Sequence, residues 1–567
     1  MRTLSGNPRQ LLKRLLIIVA IPGSLLLVNF LQTPSETGNQ FLFGFSRTRL
    51  LVAVVFSFLL ILNLGGILWT SLRPAQWQIR FENGLNAWVS QHAIAIFVAL
   101  CLITLLAGIC LLIIIPPVIR MFAPIQRVTS QAGGFLLWVF LAGVLFAMYF
   151  RLTFREYFQD AHMIPGFERF LLLASLFLIV FFAYEHILLW TGAANQTRYS
   201  YWNYLADAFL QGKLYLENPP QTHDLTFHNG KWYQPMPPAP AILMMPLAYL
   251  VGGENINTSD FSILLSAINA VLVFLILEQL VRYKWLRLSQ AGIFLLVILF
   301  AFGTPHLWVG IRGRAWFVSQ IVTVTFLALA VLASLKSWSP WLVGAFIGLA
   351  IAARPNSIMT WPFAFALAMQ ILKEKHDSVT FQQMLRWAIP SVLPMGIAVA
   401  GLLFYNYARF ENFFDFGYVT ISGDPTIVAN AQTYGIFSPH YIFTNLKAMF
   451  LYFPTIQPGS QWPILPSTTG MSIFLITPPL LYLVHRYERH WWILGAWASV
   501  FLNFLLLVLY HNTGAHQFGY RYILDAIIPL LALLAVAMDG KIRWHFILLV
   551  LFSIAFNLYG TYWFING

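Results

Sequence analysis

Long, almost uncharged apolar runs constrain this chain more than any other feature. Residues Ile94 to Ile115, Phe170 to Trp190 and Ile389 to Phe404 contain hardly any charge. At about 1.5 Å of rise per helical residue, each crosses most or all of a hydrocarbon layer of roughly 30 Å. A backbone in lipid must satisfy its own hydrogen bonds, which leaves helices or a closed barrel. The runs lack the alternation of barrel strands, so helices are the reading. Composition agrees. Of 567 residues, 59% are hydrophobic and 9% charged, with a mean hydropathy of +0.72. A soluble domain carries about 25% charged residues, so this chain has too little polar surface to cover a water-facing globule.

The formal charge of +13 does not indicate nucleic acid. No basic cluster with interleaved aromatics stands apart from the helix ends, and most Lys and Arg sit in short loops, as membrane topology expects. Cys101 and Cys110 lie nine residues apart in one apolar segment, on opposite faces of a helix, so they cannot bridge within it. The basic start (Arg2, Arg9, Lys13, Arg14) precedes an apolar stretch without a small-residue cleavage site. It reads as an uncleaved first span.

The pattern predicts an all-α, polytopic membrane helix bundle of about 13–15 transmembrane helices. Spans fall near 12–32, 48–71, 91–115, 134–152, 168–190, 262–281, 289–304, 317–335, 340–353, 357–372, 387–408, 469–484, 491–510, 521–538 and 545–563. The short pieces 340–353 and 357–372 read as a bent pair around Arg354-Pro355. Residues 1–165 form an N-terminal extension and 166–567 the core. Basic clusters at Arg282/Lys284/Arg287, Lys336, Lys373/Lys375/Arg386, Arg486/Arg489 and Lys541/Arg543 occupy alternate loops of the core, which are therefore read as cytoplasmic. The long connections 191–261 and 409–468 then lie together on the outer side. In the first of these, Tyr201 to Leu210 reads as an amphipathic interfacial helix. Trp202, Leu205 and Phe209 share its apolar face, while Asn203 and Asp207 share a solvated one. The run Ala241 to Val251, opened by prolines, is too short to span and reads as a second interfacial helix.

The order of features here resembles a known family. A span is followed by an interfacial helix, Gly212-Lys-Leu-Tyr-Leu216, Asn229-Gly-Lys-Trp-Tyr233, Pro237-Pro-Ala-Pro-Ala-Ile-Leu243 and a further span ending in basic residues. Downstream come Asn406-Tyr-Ala-Arg-Phe410, Phe416-Gly-Tyr418 and Phe518-Gly-Tyr-Arg-Tyr-Ile-Leu-Asp525. Over roughly residues 168–540 the chain resembles the GT-C superfamily of polyprenol-phosphate-sugar-dependent glycosyltransferases, which includes the protein O-mannosyltransferases and the aminoarabinose transferases of lipid A.

The resemblance implies transfer of a hexosyl or pentosyl group from a polyprenyl-phosphate donor to a glycan, lipid or protein acceptor. The reaction would be a carboxylate-assisted single displacement on the extracytoplasmic face of a bacterial plasma membrane. One position departs from the family. Members usually carry an acid just after the first core span, where this chain has Asn195-Gln196, and an amide cannot act as a base. Either the carboxylate has moved, with Asp224 and Asp207 the candidates, or the chain is not an active transferase of the usual kind.

Such a transfer needs a carboxylate to take the acceptor proton, cations for the leaving phosphate and a lipid-facing groove. Outward-facing arginines are unexpected under the positive-inside rule, which singles out Arg312, Arg314, Arg354 and Arg521 as phosphate candidates. The bland alternative is snorkelling to headgroups. For Asp224 it is an Asx-turn on a wet loop. Asp525 lies one turn after Arg521, so an ion pair within one helix is its simplest role. Trp232 and Tyr233 are candidates to stack on a sugar, and Tyr522 is a further candidate for substrate binding. No cofactor is expected with certainty, and a divalent metal is unsupported, because His306, His440, His511 and His516 show no ligand spacing. With no Walker loop or dinucleotide fingerprint, a nucleotide site is not expected. Competing readings are a secondary transporter or lipid flippase, and a non-catalytic membrane protein of the same fold.

Overall fold

The computed structural model describes residues 8–32, 47–71, scattered positions between 76 and 107, 130–153, 164–192 and 199–566. The expected span at 91–115 lies largely outside the described residues. So do Arg2, Cys110 and the Asn195-Gln196 pair. The chain divides into two compact units, Met1–Ser175 and Leu176–Gly567. Their boundary falls inside a helix, some residues past the expected 165/166.

The first unit contains α1 (Pro8–Gln32), α2 (Arg47–Ser71) and α3 (Ser130–Thr153). Val19, Phe56 and Trp138 form its packed centre. The Trp138 indole donates to the Val19 carbonyl at 2.9 Å. Gly23 permits this approach, because a Cβ there would lie 2.6 Å from the indole nitrogen. The helix α4 (Ile164–Thr191) crosses from this unit into the next.

The second unit continues with α5 (Trp202–Leu210), α6 (Ala239–Val251), α7 (Thr258–Arg282), α8 (Gln290–Phe302), α9 (Ala315–Leu335), α10 (Pro340–Ile351), α11 (Trp361–His376) and α12 (Phe381–Phe410). It ends with α13 (Pro425–Tyr434), α14 (Trp491–Leu509), α15 (Ile527–Ala537) and α16 (Trp544–Asn566). Helix α9 is its axis, the most enclosed of the long apolar helices. Between lipid-soluble helices the hydrophobic effect gives little driving force, so close packing at small residues holds them together. Gly344 and Gly348 of α10 do this against α12. A Cβ on Gly344 would run into the Ser391 carbonyl oxygen, and one on Gly348 would meet that of Pro394 at 3.1 Å. Thr380 and Gln383 close a capping box that starts α12.

Among the described residues seven helices are long and apolar enough to cross a membrane. The chain is thus a helical, multi-pass membrane protein. Several expected spans are shorter or broken. Region 469–484 is not one helix but a turn at Ile473–Ile476 followed by a 3-10 stretch at Pro478–Leu483. The consecutive prolines at 478 and 479 remove two backbone donors. Region 521–538 opens as a 3-10 stretch, Arg521–Ala526, before α15 begins. Helices α10 and α15, with 12 and 11 residues, extend only about 18 and 16 Å. Both are too short to span a hydrocarbon layer of roughly 30 Å.

The two long connections meet. Asp224 N–H donates to Ser422 O at 2.7 Å, Ser422 N–H to Leu225 O at 2.8 Å, and Thr226 Oγ1 to Gly417 O at 2.8 Å. A short hairpin, β1 (Thr226–His228) with β2 (Lys231–Tyr233), sits beside this seam. Helix α6 begins at prolines, as expected. The expected solvated face on α5 is absent. Asn203 is buried and donates to Gly253 O at 2.9 Å, because the turn after α6 folds over it.

Candidate functional site

Asp224 sits at the apex of a turn closed by Leu225 N–H to Thr222 O. Its φ of 59° is a left-handed conformation that Asp tolerates better than most residues. The carboxylate accepts from the Trp316 indole at the start of α9. His223 Nε2 lies 3.8 Å away. Gly423 leaves it room, since a Cβ there would stand 2.6 Å from Oδ1. Burial raises the Asp224 carboxyl above its ordinary range and Asp424 adds to that. His223, the Trp316 hydrogen bond and Arg521 oppose it.

At the seam, on either side of the Gly417 that bonds Thr226, Phe416 and Tyr418 enter the lining of a cavity of about 210 Å³, completed by Arg354, Asn356, Ser319, Tyr510 and Tyr522 with apolar walls from Met236 and Phe437. Tyr418 links cavity and acid. Burial, chiefly, pushes its phenol up to about 12, with Arg354 pulling down and Asp224 pushing further up.

At the cavity floor Arg354 grips Asp525 with two parallel bonds, Nε to Oδ1 at 3.0 Å and Nη2 to Oδ2 at 2.8 Å. Asn356 adds a third bond to Oδ2 at 2.9 Å. The ion pair expected within one helix between Arg521 and Asp525 does not form. The 3-10 winding and the break of α10 bring Arg354 to Asp525 instead. Arg521 is buried against neutral acceptors: Nη1 to Gln320 Oε1 at 2.9 Å and Nε to Gly514 O at 3.1 Å. Tyr522 lies beneath both cations, 5.0 Å from the Arg354 and 4.6 Å from the Arg521 guanidinium carbon. This cluster stands at the level of Ser319 and Asn503, more than one turn inside the ends of α9 and α14.

The remaining candidates lie elsewhere. Asp207 accepts from Gly253 N–H at 2.9 Å and ties α5 to the turn after α6, apart from the cavity. Tyr233 is buried edge-on against Phe410 at 5.3 Å and offers no face for a sugar. Arg312 packs on Phe564. Burial, followed by the charge of Arg314, pulls its guanidinium down to about 9. Arg314 lies 5.0 Å over Tyr199, whose ring in turn touches His223 and Trp316. Tyr199 thus stands between Arg314 and the His223 that neighbours Asp224.

A second cavity, about 770 Å³, is an open apolar groove between α6, α10 and α12. Ile242, Leu349 and Ile397 line it and face outward. Lys213, Phe209 and Tyr405 stand at one end. Behind Tyr405, 3.9 Å from its ring, is the buried Arg409 guanidinium, which donates to Gln234 O at 2.6 Å and Asn406 Oδ1 at 2.8 Å. Only the strap Met236–Pro238 and the turn Ala352–Arg354 separate groove from polar cavity, joined by Ala239 N–H to Ala352 O at 2.9 Å. Sequence reasoning had not selected Lys213, Arg409 or Tyr418, although each belongs to one of the short segments quoted from the sequence. The signal was an Arg one residue from the end of a span on the same side as the long loops. Among the described residues no three His, Cys, Asp or Glu cluster as metal ligands would.

Comparison with protein-family models, curated proteins and solved structures yields no match.

Proposed function

We propose that this chain is a membrane glycosyltransferase that moves a sugar from a polyprenyl-phosphate donor to an acceptor hydroxyl at the extracytoplasmic face. The observation that carries this reading is the back-to-back placement of an open apolar groove and a small cation-bearing cavity, separated by one turn of chain. A substrate with a long apolar tail and an anionic sugar head needs both. The tail lies in the groove between α10 and α12. Lys213, backed by Tyr405 and Arg409, meets the phosphate at the groove end, and the sugar reaches past the Met236–Pro238 strap into the polar cavity, which Tyr418 links to Asp224. The Asp224 carboxylate takes the proton of the acceptor hydroxyl, and the acceptor oxygen attacks the anomeric carbon. The bond from that carbon to the phosphate oxygen breaks, and polyprenyl phosphate leaves with its charge held by the cations. Arg521 is the arginine whose charge acts on the Asp224 carboxylate.

The test is transfer of a labelled sugar from polyprenyl phosphate in membranes carrying the wild type or Asp224→Asn. Transfer by the wild type and its loss in the variant is the expected result. Equal transfer by both would remove Asp224 from the mechanism.

A second reading, a secondary transporter or flippase, draws on one feature. The Arg354–Asp525 pair joins two helix breaks within the membrane depth, where transporters build their sites. It predicts movement of a lipid between leaflets with no covalent product, which the same labelled donor would report.

A further inference from the structure

The connection after α13 is nearly free of charge. From Pro425 to Gly470 only Lys447 is charged. Within it, one helical stretch runs from Ile442 to Leu451, an α-helical turn passing into a π-helical one. Its inner side, Asn445, Ala448 and Met449, is buried. Asn445 Nδ2 donates to Val508 O at 3.1 Å and Tyr510 O at 2.7 Å, which fixes the stretch at the C-terminal end of α14. The outer side, and the chain that follows it, are apolar as well. Phe443 is 76% exposed, Leu451 63%, Phe453 60% and Ile456 75%. A water-facing loop of this length would carry about a quarter charged residues. Helix α14, with 19 residues, is about 28 Å long, so its end reaches the edge of the hydrocarbon. Nearby, Trp462 at the base of the same connection packs against Tyr562 at 5.9 Å, and Tyr562 stacks on Trp190 at 4.6 Å. Such a cluster of Trp and Tyr marks the headgroup level.

We infer that residues 442–456 are a monotopic membrane anchor. The face made by Phe443, Leu451, Phe453 and Ile456 is sunk into the acyl boundary of the leaflet on the side of the long connections, and Lys447 reaches to the lipid phosphates. The partner is the bilayer itself. The arrangement is that of an interfacial helix, with an apolar face buried and its one cation at headgroup level. The same connection carries Ile436 and Phe437, which line the Arg354 cavity. The anchor therefore ties one cavity wall to the leaflet.

The experiment is site-directed spin labelling of the full-length protein in nanodiscs. Cysteines replace Phe443 and Phe453 one at a time in a background without Cys101 and Cys110. A third label at Asn412, outside the stretch, serves as reference. Both anchor sites are exposed, so the substitutions need not disturb packing. Access of molecular oxygen, which concentrates in lipid, is compared with that of a water-soluble nickel chelate. At 443 and 453 oxygen should exceed nickel several-fold, with the ratio reversed at 412. Preferential access of the nickel chelate at 443 and 453 overturns the proposal in favour of a solvated loop. Exclusion of both reagents overturns it in favour of coverage by protein.

Discussion

At the Asp224 carboxylate, burial and hydrogen bonding pull in opposite directions, and burial wins. A base with a raised pKa accepts a proton more strongly but is disarmed at a higher pH. As the proposed base it must be ionised, so transfer should fall as pH drops through its raised pKa, above the ordinary carboxylate range of about 4. Asp224→Asn should lower the rate about 10²- to 10⁴-fold and abolish that acid limb, with the folded protein retained. A pH-rate profile with the limb intact in the variant would assign it to another group. The role of Arg354 is mixed. Asp525 is fully buried and Arg354 is 17% exposed at the side chain. Removing the guanidinium alone strands a buried carboxylate, at a cost of about 3–5 kcal/mol. Arg354→Met should therefore melt well below the wild type, while Arg354→Met with Asp525→Leu should recover much of the loss. If the double variant regains stability but not transfer, Arg354 also serves the substrate. This pairing could not be read from the chain. The spacing of Arg521 and Asp525 favours a bond across one helical turn, but the 3-10 winding of that turn and the break after α10 are tertiary outcomes.

Among the elements, long uninterrupted helices such as α7, α9 and α16 follow from apolar runs and appear close to where hydropathy puts them. The failures share a cause. At 469–484 and 521–538 the runs are apolar enough, but prolines and buried polar side chains tie the backbone to neighbours. Window hydropathy cannot see those ties. Helix α5 shows the converse error. Its periodicity correctly gives two faces, yet a polar face can be buried when a backbone turn satisfies it, as Gly253 does for Asn203 and Asp207. The α10–α12 groove offers a direct test at this scale. Gly401 lines it, and a Cβ there meets nothing within 4 Å. Gly401→Leu should raise helix stability by up to about 1 kcal/mol while occupying the groove. The expected outcome is a melting temperature equal to or above that of the wild type, with KM for a long-chain donor raised and that for a short-chain water-soluble donor unchanged. Equal effects on both donors would mean that the tail lies elsewhere.

For the whole molecule, charge placement carried more information than any single motif. Basic clusters at alternate loops put the connections 191–261 and 409–468 on one side, and the two are indeed hydrogen-bonded to each other through Asp224, Leu225, Thr226, Gly417 and Ser422. The Asp224 turn and the cavity wall thus come from segments nearly 200 residues apart, which is why the acid could be nominated from sequence but its neighbours Tyr418 and Arg521 could not be assembled around it. Which side of the membrane this seam faces is a separate matter, and it decides whether an extracytoplasmic donor can reach it. Two exposed positions separate the alternatives. Glu488 lies between the two arginines of the 485–490 loop, and Asn412 lies at the start of the second long connection. With native cysteines removed, Asn412→Cys should react in intact cells with a membrane-impermeant maleimide. Glu488→Cys should react only after the membrane is opened. The reverse pattern would turn the site toward the cytoplasm and exclude the proposed donor geometry. Reaction of both from outside would mean that the broken segment 469–484 does not cross, and would place α14 in the opposite sense to the charge rule.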